Sequence, residues 1–371
     1  MRIGLFSDPC LGDPPLVWRL REELGLLGQE GILFLPRSRT SPSLPGTVTL
    51  PLLKLPGASG AGLGLPSRRV RRLLRGLEAV VVCTPFSLGR LAWRTAALAG
   101  LPCLFLFPGR YLQRRLSLPP ALRPPLGPVE RRALSLARRC SAVGVDSPAV
   151  RGVLLRAGIR VPIHLLPWEL DLVAFSRPPR HDLRGDLALP RTARVLLHVG
   201  RFQQGAPGAF LLRAFRELIR LVPQAFLVLI GGGPVVEELA RKAQQLGIAS
   251  RVRLPGDVDP ARLPDYYRQA DVFLHVSKRG LGLGPVLAAL AAGLPVVAVS
   301  RPGAAWPLRD GENALFSPED ELVFAERMLV GLEDGRLRAR LREGGLATAQ
   351  EYSLQASARK LVGLLQELRR S

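Results

Sequence analysis

Ala270 to Val299 (ADVFLHVSKRGLGLGPVLAALAAGLPVVAV) constrains the fold more tightly than any other stretch of this chain. Asp271 to Val276 is an apolar run of strand length. Lys278 to Gly284 is a glycine-rich loop, with Gly280, Gly282 and Gly284 at alternate positions. Pro285 to Ala292 has helical character, and Pro285 suits a first turn, where its missing N–H costs nothing. Gly293 stops that helix, and Leu294 to Val299 is a second buried strand. A strand, a glycine loop and a helix start can together cradle an anion, because free N–H groups point outward and glycine admits a phosphate close to the backbone. The plain alternative is a tight buried turn that binds nothing. Gly280 to Ser300 carries no charge and is long enough to span a bilayer. Its glycines, two prolines and broken helical pattern fit a buried loop–helix–strand better.

The rest of the chain repeats the same rhythm. Arg2 to Ser7 reads as a strand, Pro15 to Gly28 as a helix and Ile32 to Leu35 as a second strand, which implies a parallel sheet. The intervening loop Asp8–Pro15, containing Gly12, belongs at the carboxyl edge of that sheet, where ligands of such folds bind. Arg37 to Pro66 is rich in Pro, Gly and Ser and reads as a long surface loop. Strands follow at Ala79–Cys83, Leu104–Phe107, Ala142–Val145 and His164–Leu166, alternating with helices. Ser147 is placed as a helix cap, and the proline- and arginine-rich Pro108–Pro128 as a cover over a cleft. A polar, proline-containing linker at Pro167–Arg180 marks a domain boundary. Beyond it the α/β pattern restarts at Val195–Val199 and ends in three helices, Glu321–Leu332, Arg336–Gln350 and Leu354–Leu368.

The chain has 371 residues and 47% apolar content, enough for two ordinary cores. Its net charge is +22. Residues 1–176 hold 24 basic and 10 acidic groups, and residues 177–371 hold 28 and 20. The first half is therefore the better candidate for an anionic surface. Ser67 to Leu77 (SRRVRRLLRGL) sets Arg68, Arg69, Arg71, Arg72 and Arg75 against Val70, Leu73, Leu74 and Leu77 at helical spacing. That pattern fits a helix lying on an anionic membrane, and equally a solvated arginine face over a core stripe. The cysteines Cys10, Cys83, Cys103 and Cys140 lie far apart beside apolar runs, with no metal or redox spacing, and read as buried free thiols in a reducing compartment. The four histidines are equally scattered. MRIGLFSDP lacks the regions of a signal peptide, so a cytoplasmic protein, in solution or peripheral on the inner face of the membrane, is expected. Nucleic acid as a partner would rest on charge alone, without a recognisable module or interleaved aromatics, and is not expected.

The order of the motifs resembles the retaining glycosyltransferases of family 4, which have the two-Rossmann GT-B fold. The resemblance rests on HVGRF (198–202), AFLVLIGGGP (225–234), RVRLPGDV (251–258), LPDYYRQADVFLHVS (263–277), AALAAGLPVVAV (288–299) and LRDGENALFSP (308–318). IGLFSDPCLGD, CTPFSLGRLA, VGVDSPAVRGVLLRAGI and LPWELDLVAF in the first half match more loosely. The resemblance implies an α/β chain of two Rossmann-like domains facing across a cleft. Residues 1–172 would form the acceptor domain and 173–352 the nucleotide-sugar domain, with a helix at 353–371 packing back toward the first. It further implies sugar transfer with retention from a nucleotide-sugar to an acceptor, a lipid or membrane-associated one by the charge argument. The nucleotide-sugar enters as substrate, and no cofactor or metal is expected. The residues expected at the donor are Arg201, as the family's arginine, Gly12 of the first sheet-edge loop, and Lys278, Gly282, Leu283, Gly284 and Pro285 of the glycine loop and helix start, where Lys278 would supply positive charge near the diphosphate.

Four positions depart from the family pattern. Its diphosphate-gripping lysine falls near Ala206. The later of its two donor-site glutamates falls at Ala288 and the earlier at Arg279 or Gly280. Its first-domain histidine falls at about Pro108. Each lost charge-assisted hydrogen bond is worth about 1.5–3 kcal/mol. Two readings follow: a working enzyme with an altered donor site, its catalytic residues unassigned, or a silenced homologue serving as a binding subunit beside an active glycosyltransferase paralogue. A nicotinamide dehydrogenase is disfavoured, because neither glycine cluster follows the first strand with an acidic ribose-reading residue at the right spacing.

Overall fold

The structure is a computed structural model and describes residues 1–7, 14–36, 47–50, 52–53, 62–63, 68–112, 126–168, 170–202, 207–276, 283–299 and 306–370. The chain divides into two compact units. One comprises Met1–Asp171 with Tyr352–Ser371, the other Leu172–Glu351.

The first unit is built on a seven-stranded sheet. Its strands are β1 (Arg2–Phe6), β2 (Glu30–Pro36), β3 (Thr47–Leu50), β6 (Ala79–Val82), β7 (Cys103–Phe107), β8 (Ala142–Val145) and β9 (Ile163–Leu165), with a small separate hairpin of β4 (Leu52–Leu53) and β5 (Gly62–Leu63). The order is β3-β2-β1-β6-β7-β8-β9, and every neighbouring pair is parallel. Side chains two apart share a face. Ile3 and Leu5 of β1, with Leu33 and Leu35 of β2, bury into one core with Leu20 and Leu24 of the helix Pro14–Leu26. On the other face Phe6 stacks on Phe34 at 4.5 Å.

The C-terminal helix Leu354–Arg370 completes the first core with Leu354, Leu361 and Leu365. Its start is fastened by Leu354 N–H to the Leu170 carbonyl at 2.7 Å and by the Ser357 hydroxyl to the Pro167 carbonyl at 2.8 Å. Gln355 Nε2 reaches Glu23 Oε1 at 2.9 Å and Asp171 Oδ1 at 3.3 Å, while Arg19 pairs with the other Asp171 oxygen at 3.2 Å.

The reading of 37–66 as loop is corrected in part. Thr47–Leu50 is an edge strand, in register with β2 from Leu33↔Thr47 to Pro36↔Leu50, and β4 and β5 pair antiparallel. The β-branched TVTL segment has the propensity for an edge position that the surrounding prolines and glycines obscure. Within Pro108–Pro128, Gly109–Leu112 forms one 3₁₀ turn, and residues 113–125 lie outside the described set.

The second unit carries a six-stranded sheet of β10 (Arg194–Val199), β11 (Ala225–Ile230), β12 (Val252–Gly256), β13 (Val272–His275), β14 (Val296–Val299) and β15 (Leu315–Ser317). The order is β12-β11-β10-β13-β14-β15, again all parallel. Leu196, Leu227, Leu229 and Val272 pack under the helices Gly208–Leu218 and Glu321–Glu333, where Phe210 meets Phe324 edge to face at 5.2 Å. Two carboxylates tie this unit together. Asp265 accepts the N–H groups of Arg180 and His181 at 2.9 and 3.1 Å, which anchors the end of the expected linker. Asp271 accepts Val195 N–H at 2.8 Å and pairs with Arg194 and Arg184. The uncharged stretch 280–300 resolves, over its described residues, into the nine-residue helix Leu283–Ala291 and β14. Among the described residues no helix is long and apolar enough to cross a membrane.

Candidate functional site

In a parallel sheet the connections leave in opposite directions where the strand order reverses, and a crevice opens at the carboxyl ends of those two strands. In the second unit that point lies between β10 and β13, because β11 and β12 extend to one side and β14 and β15 to the other. Val199, Gly200 and Arg201 therefore meet the end of β13, His275 and Val276, at one edge. The β13 strand continues into 277–282, which lie outside the described residues, and the chain re-enters as the helix starting at Leu283.

Glycines let the neighbouring loops approach closely. Gly231 and Gly233 have φ of +129° and +147°. A β-carbon on Gly231 would stand 1.8 Å from the Gly200 carbonyl oxygen, and one on Gly233 2.0 Å from that of Phe202. Gly200 N–H donates to the Ile230 carbonyl at 3.0 Å and Phe202 N–H to that of Gly232 at 3.0 Å. Asp257 Oδ1 accepts Gly232 N–H at 2.7 Å. The Gly231–Gly233 cluster is thus used for loop-on-loop packing, and it fixes the backbone from which Arg201 projects. Arg201 is exposed and makes no hydrogen bond or ion pair among the described residues. Its guanidinium, always charged and carrying five donors, is available to an anion.

Two histidines lie beneath this edge. His198 Nδ1 stands 2.8 Å from the Leu274 carbonyl, so that nitrogen carries the proton and Nε2 is left with its lone pair. Burial holds His198 below the ordinary imidazole value, against the opposing effect of the Leu274 bond. Burial, with the neighbouring His198, pushes His275 down to about 3. Both are neutral near pH 7. His198 packs against aromatic rings, 5.8 Å from Phe202 and 6.4 Å from Phe273. Spacing along the chain does not pair these residues, which are 77 apart; adjacency of β10 and β13 brings them together.

The structure describes part of the expected donor set. Arg201, Gly284 and Pro285 are placed, the last two half-buried in the first turn of the helix Leu283–Ala291. Leu283 begins that helix. Gly12, Lys278 and Gly282 lie outside the described residues, as do Ala206, Arg279 and Gly280. Ala288 is half-buried, four residues after Gly284 and so on the same helix face.

The first unit has its own reversal point, between β1 and β6. Ser7 and Thr84, both buried, follow those strands. Nearby, Gly109 N–H donates to Asp146 Oδ2 at 2.7 Å, and Pro108 is buried. Ser147 caps the helix Pro148–Arg156, accepting Val150 N–H. In the arginine helix Arg68–Arg75, Arg72 and Arg75 are exposed and Leu74 is buried; the side chains of Arg68, Arg69 and Arg71 lie outside the description. A cavity of about 330 Å³ opens between β9 and the C-terminal helix, lined by His164, Leu166, Lys360, Leu364 and Glu367 among others. Among the described residues no three His, Cys, Asp or Glu side chains gather into a metal site.

Residues 179–347 match the family model of the group 1 glycosyl transferases. The chain is 32% identical over 255 residues to a D-inositol 3-phosphate glycosyltransferase of Corynebacterium efficiens, covering 63% of this chain and 60% of that one. It is 33% identical over 208 residues to the enzyme of the same name from Xylanimonas cellulosilytica, covering 53% and 49%. It is also 33% identical over 189 residues to a phosphatidyl-myo-inositol mannosyltransferase of Mycolicibacterium smegmatis, covering 50% and 46%. The chain thus spans about half the length of the curated relatives it matches. Among solved structures it resembles Anabaena HepE in complex with UDP, at TM-score 0.70 and 18% identity over 99% of this chain and 100% of that one. Sucrose-phosphate synthase from Thermosynechococcus elongatus matches at TM-score 0.68 and 22% identity over 99% of both. These likenesses show the fold: two parallel-sheet, Rossmann-like α/β units as in the GT-B glycosyltransferases.

Proposed function

We propose that this chain, matched through residues 179–347 to the group 1 glycosyl transferases, is a working glycosyltransferase. In this reading its second unit binds a nucleotide-sugar and its first unit the acceptor. The observation that carries the reading is the exposed Arg201, without a hydrogen-bond or ion-pair partner among the described residues, at the reversal point of the second sheet and inside the segment that matches the family. In the reaction the bond from the anomeric carbon to the diphosphate oxygen breaks. The acceptor hydroxyl oxygen forms the new glycosidic bond on the same face and loses its proton. Negative charge grows on the departing diphosphate, where a fixed guanidinium and the N–H groups of a helix start stabilise it most in the transition state. Arg201 takes that role, with the Leu283–Pro285 backbone beside it. Gly12, Lys278 and Gly282 join the donor site on sequence grounds.

The acceptor is a polyol carried on a lipid or a phosphate. The matched relatives are named for inositol 3-phosphate and phosphatidyl-myo-inositol, and the exposed Arg72 and Arg75 suit an anionic surface. The test is release of nucleoside diphosphate from UDP- and GDP-sugars, with inositol 3-phosphate or phosphatidylinositol vesicles as acceptor. Release by the native chain, abolished by the double variant Ala206→Lys, Ala288→Glu, marks a rebuilt working site. Release appearing only in that variant favours the second reading, a silenced homologue partnering an active paralogue, which rests on the absence of the family's lysine and glutamates at those positions.

A further inference from the structure

Two cysteines that sequence separates by 37 residues meet in the first unit. Cys103 opens β7, and Cys140 follows the helix Pro128–Ala137 just before β8. Their sulfurs lie 3.6 Å apart, with Cys103 S–H donating to Cys140 Sγ. Both residues are 3% exposed.

The backbone holds them there from several sides. Ser141 N–H donates to the Cys103 carbonyl at 2.8 Å, and Cys103 N–H donates to Ser141 Oγ at 3.1 Å. The first of these bonds continues the β7–β8 ladder, in which Leu104 faces Ala142, and the second is made by the Ser141 side chain. Cys140 N–H donates to the Leu136 carbonyl at 3.2 Å. The adjacent Arg139 carbonyl accepts the Trp93 indole N–H at 3.0 Å, with the Arg139 guanidinium 5.0 Å over that ring. The sulfurs stand roughly 1.5 Å beyond the length of a disulfide bond.

We infer that Cys103 and Cys140 form an oxidisable dithiol, a modification site that closes to an internal disulfide under hydroperoxide. One sulfur attacks the terminal peroxide oxygen, the O–O bond breaks, and a sulfenic acid forms with release of the first water. The partner sulfur attacks the sulfenic sulfur and displaces its hydroxyl, which leaves with the partner's proton as the second water. Two thiols lose two electrons and two protons, and one hydrogen peroxide becomes two waters. The reaction runs through transient opening of the β7 entrance, because the hydrogen bond with Cys140, together with burial, holds the Cys103 thiol well above its ordinary value and so suppresses its thiolate in the closed fold. Closure ties the base of β7 to the end of the helix Pro128–Ala137, across the crossover containing residues 108–127.

Cys83 is an internal control. It is buried, and burial alone pushes it up to about 12. The experiment treats the reduced full chain with hydrogen peroxide at rising urea until Cys83 begins to react. The sample is then quenched in acid, denatured and alkylated with N-ethylmaleimide, and its intact mass and peptide map are taken. The expected result is a species lacking two alkylatable thiols before Cys83 reacts, a cross-link joining the Cys103 and Cys140 peptides, and full reversal by dithiothreitol. Cys83→Ala should keep the cross-link; Cys140→Ala should lose it, with circular dichroism checking that the variant folds. The inference is overturned if Cys83 oxidises first, if Cys103 and Cys140 end as separate sulfinic acids, or if either is found linked elsewhere.

Discussion

The carbonyl oxygen of Gly200 stands 1.8 Å from where the β-carbon of any side chain at Gly231 would have to lie. The two residues close the β10 and β11 turns onto one another, and Gly231 adopts φ +129°, which L side chains rarely adopt. Gly231→Ala is expected to destabilise the second unit by about 2–4 kcal/mol, through backbone strain and the displaced Gly200 peptide. Gly247→Ala, at φ +71° with open space around it, should cost about 1 kcal/mol. Urea unfolding of the two variants, read from a probe in the second unit, measures the difference.

Asn313 is the chain's single asparagine, buried at 2% exposure. Its Oδ1 accepts Arg309 N–H at 2.6 Å, and its Nδ2 donates to Thr348 Oγ1 at 2.8 Å and the Pro307 carbonyl at 3.2 Å. Asn313→Ala strips partners from buried groups, and a loss of about 2–4 kcal/mol is expected. Asn313→Asp replaces the donating amide with a buried acceptor oxygen facing the Pro307 carbonyl, and should destabilise at least as much as Asn313→Ala in the same unfolding assay.

The buried histidines make the second unit sensitive to mild acid. Unfolded imidazoles protonate near 6.5, whereas folded His275 stays neutral down to about 3. As pH falls below 6.5 the unfolded chain binds a proton that the fold refuses. Stability present above that value is therefore lost, by about 1.4 kcal/mol per pH unit for this residue, until the folded group titrates. Between pH 6.5 and 5 His275 alone should remove about 2 kcal/mol. His275→Gln should flatten the dependence in denaturant melts at the two pH values, and an unchanged slope would refute the assignment.

Arg72 and Arg75 are exposed at the end of the helix whose Leu74 is buried. If that face meets an anionic bilayer, each arginine contributes about 1 kcal/mol. The double variant Arg72→Glu, Arg75→Glu should then cut co-sedimentation with phosphatidylglycerol vesicles by more than tenfold, with loss of salt sensitivity. Equal sedimentation of variant and native chains would make this a solvated face.

Most of the fold is legible in local hydrophobic pattern. Apolar runs mark β10, β11, β13 and β14, because a buried parallel strand is nearly uniformly hydrophobic. The edge elements are harder to read. Thr47–Leu50 and Leu315–Ser317 are short and half polar, so their identity comes from the neighbouring strand and not from their own residues. Arg201 is singled out by its place in the HVGRF segment that resembles the family, directly after a strand and a glycine. The His198–His275 pair and the Cys103–Cys140 pair cannot be, since each depends on strands distant in sequence lying side by side. The glycines at 231–233 have the composition of a phosphate cradle, whereas Gly231 and Gly233 relieve contact between two backbones.

Calorimetric titration of the native chain and of Arg201→Ala with UDP-glucose and GDP-mannose decides whether the crevice beside β10 and β13 is a donor site. Saturable binding of one donor by the native chain is expected, with affinity about 10- to 100-fold weaker in the variant, the loss of one charge-assisted contact. Absence of binding at millimolar donor, or binding that Arg201→Ala leaves unchanged, would rule out that assignment.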